Sequence, residues 1–271
     1  MSVAMRHPLA VAFILLMLLP VRSRAEAARE ILDRVHALDS TTRHWTDRSQ
    51  RLTLVIIAAG GDERRRQLTV LTKRYGDDEE KALSTFLEPA EVKGTAFLQW
   101  GHKNAADEQW LYLPDVRRTR RITGDLRNES FMGTDFSYQD LGILSAAQGW
   151  TEDEAPSTLV GEESVDGSPC YVIALRPKKD DVAYGRIQVW LDRDKLVARR
   201  MDFFDKGDTP IKTLRFDGIE DIGPFPTPRV LEMRNLKTGS RTRIEASDVK
   251  YDSGLSDDFF TQRYLERGAP Q

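Results

Sequence analysis

The feature that most restricts how this chain can fold is its punctuation. From residue 51 onward, strand-length runs are stopped again and again by turn residues. The first run, residues 51–59 (RLTLVIIAA), is rich in β-branched side chains and stops at Gly60 and Gly61. Residues 64–75 alternate and end at Gly76 and Asp77, and residues 81–87 are stopped by Pro89. Later runs at 157–165, 170–175, 185–191, 197–204, 211–216, 230–235 and 241–249 follow the same rhythm. Strands joined by short turns, with no helix between them, pair antiparallel with their neighbours. A sheet built from so many strands does not stay flat, and it curls or closes. The expected fold is therefore mainly β: a large, strongly curved antiparallel sheet that curls or closes around a concave face.

Before the strands, residues 26–37 place Ala28, Ile31, Leu32, Val35 and Leu38 on one helical stripe. That helix needs an apolar surface, and the mouth of a curved sheet offers one. Residues 1–25 have the three parts of a secretory leader. Arg6 and His7 give a basic start, residues 9–19 an apolar stretch too short to span a bilayer comfortably, and Ser23 and Ala25 the small residues before a cut at Glu26. Residues 26–271 are expected to form one domain, since no Pro-, Gly- or Ser-rich linker divides them. Losing the leader removes three arginines and no acid, so the formal net charge of −3 becomes −6. An acidic, exported chain is not a nucleic-acid binder. The single cysteine, Cys170, has no partner for a disulfide and sits in a strand pattern, where it reads as a small buried hydrophobe.

Residues 94–142 hold the densest information. Phe97, Leu98 and Trp100 precede a polar turn, and Trp110, Leu111, Tyr112 and Leu113 resume before Pro114. In a strand, Trp110 and Tyr112 face one side and Leu111 and Leu113 the other, so both sides should be covered. Residues 116–122 carry Arg117, Arg118, Arg120 and Arg121. Residues 130–141 read SFMGTDFSYQDL, where Gly133 permits a turn and Thr134 or Asp135 can cap a helix starting near Phe136. Residues 143–156 read as helix or loop, and KKDD at 178–181 as a solvated hairpin tip.

Together, WLYLP at 110–114, the arginine-rich strand at 117–122 and SFMGTDFSYQDL at 130–141 resemble the outer-membrane lipoprotein-sorting (LolA-like) family. The resemblance implies an unclosed half-barrel, capped by α-helices, whose apolar hollow accepts lipid or lipoprotein acyl chains. It implies a periplasmic carrier that makes transient membrane contact and works with an inner-membrane exporter of the resistance-nodulation-division (RND) type. No cofactor, metal or enzymatic activity is expected. Leu98, Trp100, Trp110, Tyr112, Phe131, Met132 and Phe136 are candidates for the hollow, because aromatic and Met side chains offer adaptable apolar surface. The same residues could equally pack the sheet against its helices. Arg117, Arg118, Arg120 and Arg121 are candidates for a rim that meets anionic headgroups or an acidic partner, or else for a charged edge that discourages strand addition.

Two other readings use the same residues. A non-enzymatic envelope scaffold would have the sheet filled, with no ligand cavity and the arginine strand as a docking surface. A hydrolase could be built from Ser137 with Asp135 or Asp140. Against it, no histidine is near in sequence and no G-x-S-x-G elbow is present. Paired cysteines, a His-x-x-x-His spacing and an EF-hand loop are also missing, which leaves metal binding without a motif.

Overall fold

The computed structural model describes residues 23–76, 79–103, 105–146 and 151–267. Residues of the expected leader before Ser23 lie outside these. The chain opens with α1 (Arg24–Asp39), whose first turn is closed by a capping box between Ser23 and Glu26. The expected cut at Glu26 falls inside that turn. Six strands follow: β1 (Asp47–Ile57), β2 (Glu63–Tyr75), β3 (Glu79–Glu88), β4 (Ala96–His102), β5 (Glu108–Leu113) and β6 (Arg118–Arg121). Helix α2 (Tyr138–Ala146) then leads to β7 (Ser157–Val165), β8 (Ser168–Leu175), β9 (Arg186–Asp192), β10 (Ala198–Phe204), β11 (Pro210–Ile222), β12 (Phe225–Asn235) and β13 (Arg241–Tyr251). A 3-10 turn at Asp257–Phe260 and a short α3 (Gln262–Arg267) close the described chain.

All thirteen strands form one antiparallel sheet in the order β6-β5-β4-β3-β2-β1-β13-β12-β11-β10-β9-β8-β7. The strands therefore fall into two meanders, β1–β6 and β7–β13. Their seam is the pairing of β1 with β13, from Arg48 opposite Tyr251 to Ile57 opposite Arg241. The outermost strands, β6 and β7, do not pair with each other, so the curved sheet stays unclosed, the half-barrel that the resemblance implies.

That topology forces residues 122–156 to travel from one edge to the opposite edge. The described residues 122–146 of this connection lie across the inner face of the sheet. The strand register puts Leu111, Phe97, Phe86 and Leu68 on that face in one meander, and Leu214, Phe203 and Ile187 in the other. Phe131 and Tyr138 pack with the first group, and Phe136 and Ile143 with the second. Ala28, Ile31 and Val35 of α1 cover the far end of the same face, against Ile173, Leu175 and Leu191. Each such side chain taken from water stabilises the fold by about 1.5–3 kcal/mol.

The outer face is apolar in two places. Leu98, Trp110, Leu83 and Ala96 are covered by Phe260 and Leu265 of the C-terminal segment. Cys170, fully buried, packs with Val165, Val172 and Trp190. Both sides of β5 are thus covered, as its alternation demands.

Two local expectations change. Strand β6 is shorter than residues 116–122, because Arg117 adopts a φ of 49° and its N–H donates to Pro114 O, which makes it a turn residue. Helix α2 occupies Tyr138–Ala146, so it starts near Phe136 as expected and takes in the first residues of the 143–156 stretch. Its cap is Ser137. The Ser137 Oγ accepts from Asp140 N–H at 3.1 Å, and Asp140 Oδ2 accepts from Ser137 N–H at 2.7 Å. Asp135 instead accepts from Ser240 Oγ at 2.5 Å and Thr242 Oγ1 at 2.7 Å, which ties the crossing segment to the start of β13.

Candidate functional site

The seven candidates for the hollow do not share one surface. Leu98, Trp100, Trp110 and Tyr112 face outward under the C-terminal segment. Trp100 Nε1–H donates to Phe260 O at 2.9 Å, and the Trp100 and Trp110 rings meet edge to face at 4.9 Å. Phe131, Met132 and Phe136 lie on the inner face, within the crossing segment. Met132 O accepts from Arg66 Nη1. Of the four arginines, Arg118, Arg120 and Arg121 are exposed on the edge strand and Arg117 is exposed in the turn before it. Arg121 is ion-paired with Glu108 at 2.8 Å.

The hydrolase candidates have structural partners. Asp140 is fully buried and accepts from Tyr184 Oη at 2.5 Å and Lys212 Nζ at 2.6 Å, besides its part in the helix cap. Burial and the Asp140 charge both push the Tyr184 phenol well above its usual range. These contacts fasten α2 to the second meander. Gln109 Nε2, donating to Tyr138 O at 2.9 Å, fastens it to the first.

The main cavity lies elsewhere on the inner side. It is a cleft of about 390 Å³, within the ~300–1,000 Å³ span of small-molecule sites. The end of α1 contributes His36 and Asp39, and His44 follows from the connection to β1. The β2–β3 end contributes Arg74, Glu79 and Glu80, and the β4–β5 turn His102 and Asp107. Arg127 comes from the 3-10 turn after β6 (Gly124–Asn128). From the other meander come Glu154, Lys179 and Asp181. The KKDD stretch is therefore part of a cleft wall. Gln139 of α2 holds it there, donating through Nε2 to Asp181 O and accepting from Ala183 N–H, both at 2.8 Å.

The floor of the cleft has a different character. Ile143 and Val182 line it, and both are buried members of the inner-face core. The charged rim thus adjoins two side chains of the apolar core.

The rim charges are unevenly matched. Arg74 pairs with Glu80 at 3.4 Å and stacks over Trp45 at 3.9 Å, and Lys179 pairs with Glu154 at 2.8 Å. Arg127 sits 3.8 Å from both Asp107 and Asp181, beyond hydrogen-bond length, and its buried Nε has no hydrogen-bond partner among the described residues. Burial pushes the Asp107 carboxyl up, and the charge of Arg127 only partly opposes this. Burial also raises Asp39, against the pull of Arg74, Arg43 and His36, and Asp39 Oδ2 has no hydrogen-bond partner among the described residues. Gly142 gives the Asp107 carboxylate its room, because a Cβ there would lie 2.5 Å from Asp107 Oδ2 and displace it.

Sequence reasoning did not single out these residues. One signal was available: the only histidines after residue 25 are His36, His44 and His102, and all three line this cleft. Their convergence depends on the curl of the sheet, which no spacing displays. Among the described residues, no cluster of three or more His, Cys, Asp or Glu side chains could hold a metal ion, and no helix is long and apolar enough to cross a membrane.

Known structures share this architecture. A domain assigned to an outer membrane lipoprotein-sorting protein of Vibrio parahaemolyticus is 27% identical, covers 90% of this chain and 100% of its own, and superposes with a TM-score of 0.82. A DUF1329 family protein from Desulfovibrio piger is 32% identical over 90% of this chain and 100% of its own, also with a TM-score of 0.82. A LolA superfamily protein from Nitrosomonas europaea is 21% identical, covers 88% of this chain and 98% of its own, and has a TM-score of 0.65, a likeness of fold. A family model described as uncharacterized protein-like matches residues 78–267. No curated protein matches the sequence.

Proposed function

The chain belongs to the DUF1329 family, and from that premise we propose that it is a periplasmic carrier that shelters an amphiphile, a lipid or the acyl chains of a lipoprotein, in the hollow of its sheet. The observation that carries this reading is the cleft, whose charged rim gives way to Ile143 and Val182 on the apolar inner face. An amphiphile has the same two-part character. The half-barrel fold shared with a lipoprotein-sorting domain supports the reading, and so does the leader-like N-terminus. A scaffold with a filled sheet would have no use for a cleft that reaches the core.

In this reading no covalent bond is made or broken. Ligand chain enters beside Ile143 and Phe136, while Leu98, Trp100, Trp110 and Tyr112 hold the C-terminal segment in place. Each buried methylene stabilises the complex by about 0.8 kcal/mol, so release requires an acceptor that buries the chain equally well. A membrane or a second protein meets that requirement. An inner-membrane RND-type exporter, implied by the resemblance of the 110–141 motifs, is the proposed partner, with the exposed Arg117–Arg121 edge as its contact or that of anionic headgroups. The test is lipid extraction and native mass spectrometry of protein purified from the cell envelope. Stoichiometric co-purified lipid is expected. Protein that emerges free of lipid and ignores fluorescent fatty-acid probes would sink the reading.

A further inference from the structure

The cleft is more than an entrance, because the chemistry of its rim selects a particular kind of head. We infer that it binds a zwitterionic group, one bearing a protonated amine and an anion together, as the head of the carried amphiphile. The inference rests on the carrier reading above and specifies its ligand.

Some charged groups of the cleft lack a hydrogen-bonded partner among the described residues: Arg127 at Nε and Asp39 at Oδ2. Arg74 and Lys179 are matched by Glu80 and Glu154. What remains is Arg127, shared at 3.8 Å by Asp107 and Asp181, together with Asp39. A guanidinium at that distance from both carboxylates attracts them but does not spend its N–H donors on them, so these can point at the oxygens of a bound anion. The side chain of Arg127 is 16% exposed and that of Asp107 is 9% exposed, so both act where water screens them weakly.

The carboxylates point to the other half of the head. Asp107 and Asp39 are both held up by burial, which means that each would be stabilised by an added positive charge. A plain anion on Arg127 would meet Asp107 and Asp181 as like charges. A plain cation would be repelled by Arg127 itself. A head carrying both signs answers each group, with its amine toward the carboxylates and its anion toward the guanidinium. The apolar floor at Ile143 and Val182 then sets where the chain must leave the head.

The test compares four probes on the full chain by titration calorimetry: lysophosphatidylethanolamine, lysophosphatidylglycerol and monoacylglycerol with the same acyl chain, and phosphoethanolamine with none. The ethanolamine lipid should bind at least tenfold tighter than the other two lipids. Asp107→Asn should bring it down to the level of the glycerol phospholipid, and Arg127→Gln should remove the advantage of either phospholipid over monoacylglycerol. Melting curves check that the variants fold, and if one does not, the wild-type ranking alone decides. Phosphoethanolamine should compete only at concentrations at least a hundredfold higher. Equal competition would make this a site for soluble zwitterions and overturn the inference. Equal binding of the three lipids, or tightest binding of the glycerol phospholipid, would overturn it while leaving carriage intact. Binding of none would remove carriage and the inference together.

Discussion

Besides α1, one non-strand segment covers each face of this sheet, and the two are held by different means. The inner cover, residues 122–146, buries Phe131, Phe136, Tyr138 and Ile143, and it is also fastened by charge inside the core. Asp140 is fully buried between Lys212, Tyr184 and its own helix cap. The outer cover, the C-terminal segment, buries Phe260 and Leu265, but its ionic anchor lies in water: Asp257, paired with Lys73, has a side chain 71% exposed. A buried ion pair contributes little as a pair, yet removing one member strands the other at great cost. The inner cover is therefore fixed in position as well as packed. The outer one can detach while the sheet persists.

The comparison can be broken most decisively at Lys212. Lys212→Met should strand Asp140 and cost about 3–5 kcal/mol in urea unfolding. A loss under about 1 kcal/mol would mean that the inner cover is held by packing alone. On the other side, Leu265→Ala should cost about 2–3 kcal/mol, at the low end for a buried leucine. Limited proteolysis should find the C-terminal segment released before the sheet unfolds, and simultaneous loss of both would erase the distinction.

Asp47 sharpens the picture, because it anchors the start of the outer cover from a buried position. Its carboxylate accepts from Ser253 N–H and Oγ, and from Gly254 and Leu255 N–H. Burial pushes the carboxyl up, but the bonds from Ser253, Leu255 and Gly254 outweigh it and hold Asp47 below the usual range. A depressed carboxyl stabilises the fold fully above its unfolded value, near about 4, and loses that contribution as pH falls through the folded one. Asp47→Ala should therefore cost about 1.5–3 kcal/mol at neutral pH, with the deficit shrinking in strong acid. A deficit that stays constant with pH would point to packing. The smallest effect is expected of Trp100→Phe, which loses the bond to Phe260 O and about 0.5–1.5 kcal/mol, read as faster amide exchange in the C-terminal segment.

Much of this architecture was written in the order of residues. Alternation in residues 64–75 and Gly76 after them mark β2 and its end, and the stripe of Ala28, Ile31 and Val35 marks α1 and its buried side. The opposed faces of Trp110 and Leu111 were legible because a strand has period two. The destination of each face was not. The same periodicity fits a tryptophan on the hollow side and one beneath a C-terminal segment, and only the register with β4 and the path of the tail decide. The cap of α2 was misplaced by two or three residues for a similar reason. Thr134, Asp135 and Ser137 are all good caps, but Thr134 Oγ1 donates to the Phe131 and Phe136 carbonyls and Asp135 accepts from Thr242 of β13, which leaves Ser137. The cleft was hidden most deeply. Its charges come from both meanders and meet through curvature, a property of the whole sheet.

The seam between β1 and β13 bears on how the molecule is made. The first strand waits for the last, across some of the greatest sequence separation the chain allows, and contacts of that kind form slowly. Until residues 241–251 arrive, the two meanders are half-sheets, each with one more raw edge than it will finally have. In the proposed role as a periplasmic carrier, the chain would be threaded through a membrane before it folds, and its keystone would be among the last parts to come through. Losing the final strand would accordingly split the sheet down its middle, whereas losing β6 would merely trim its margin.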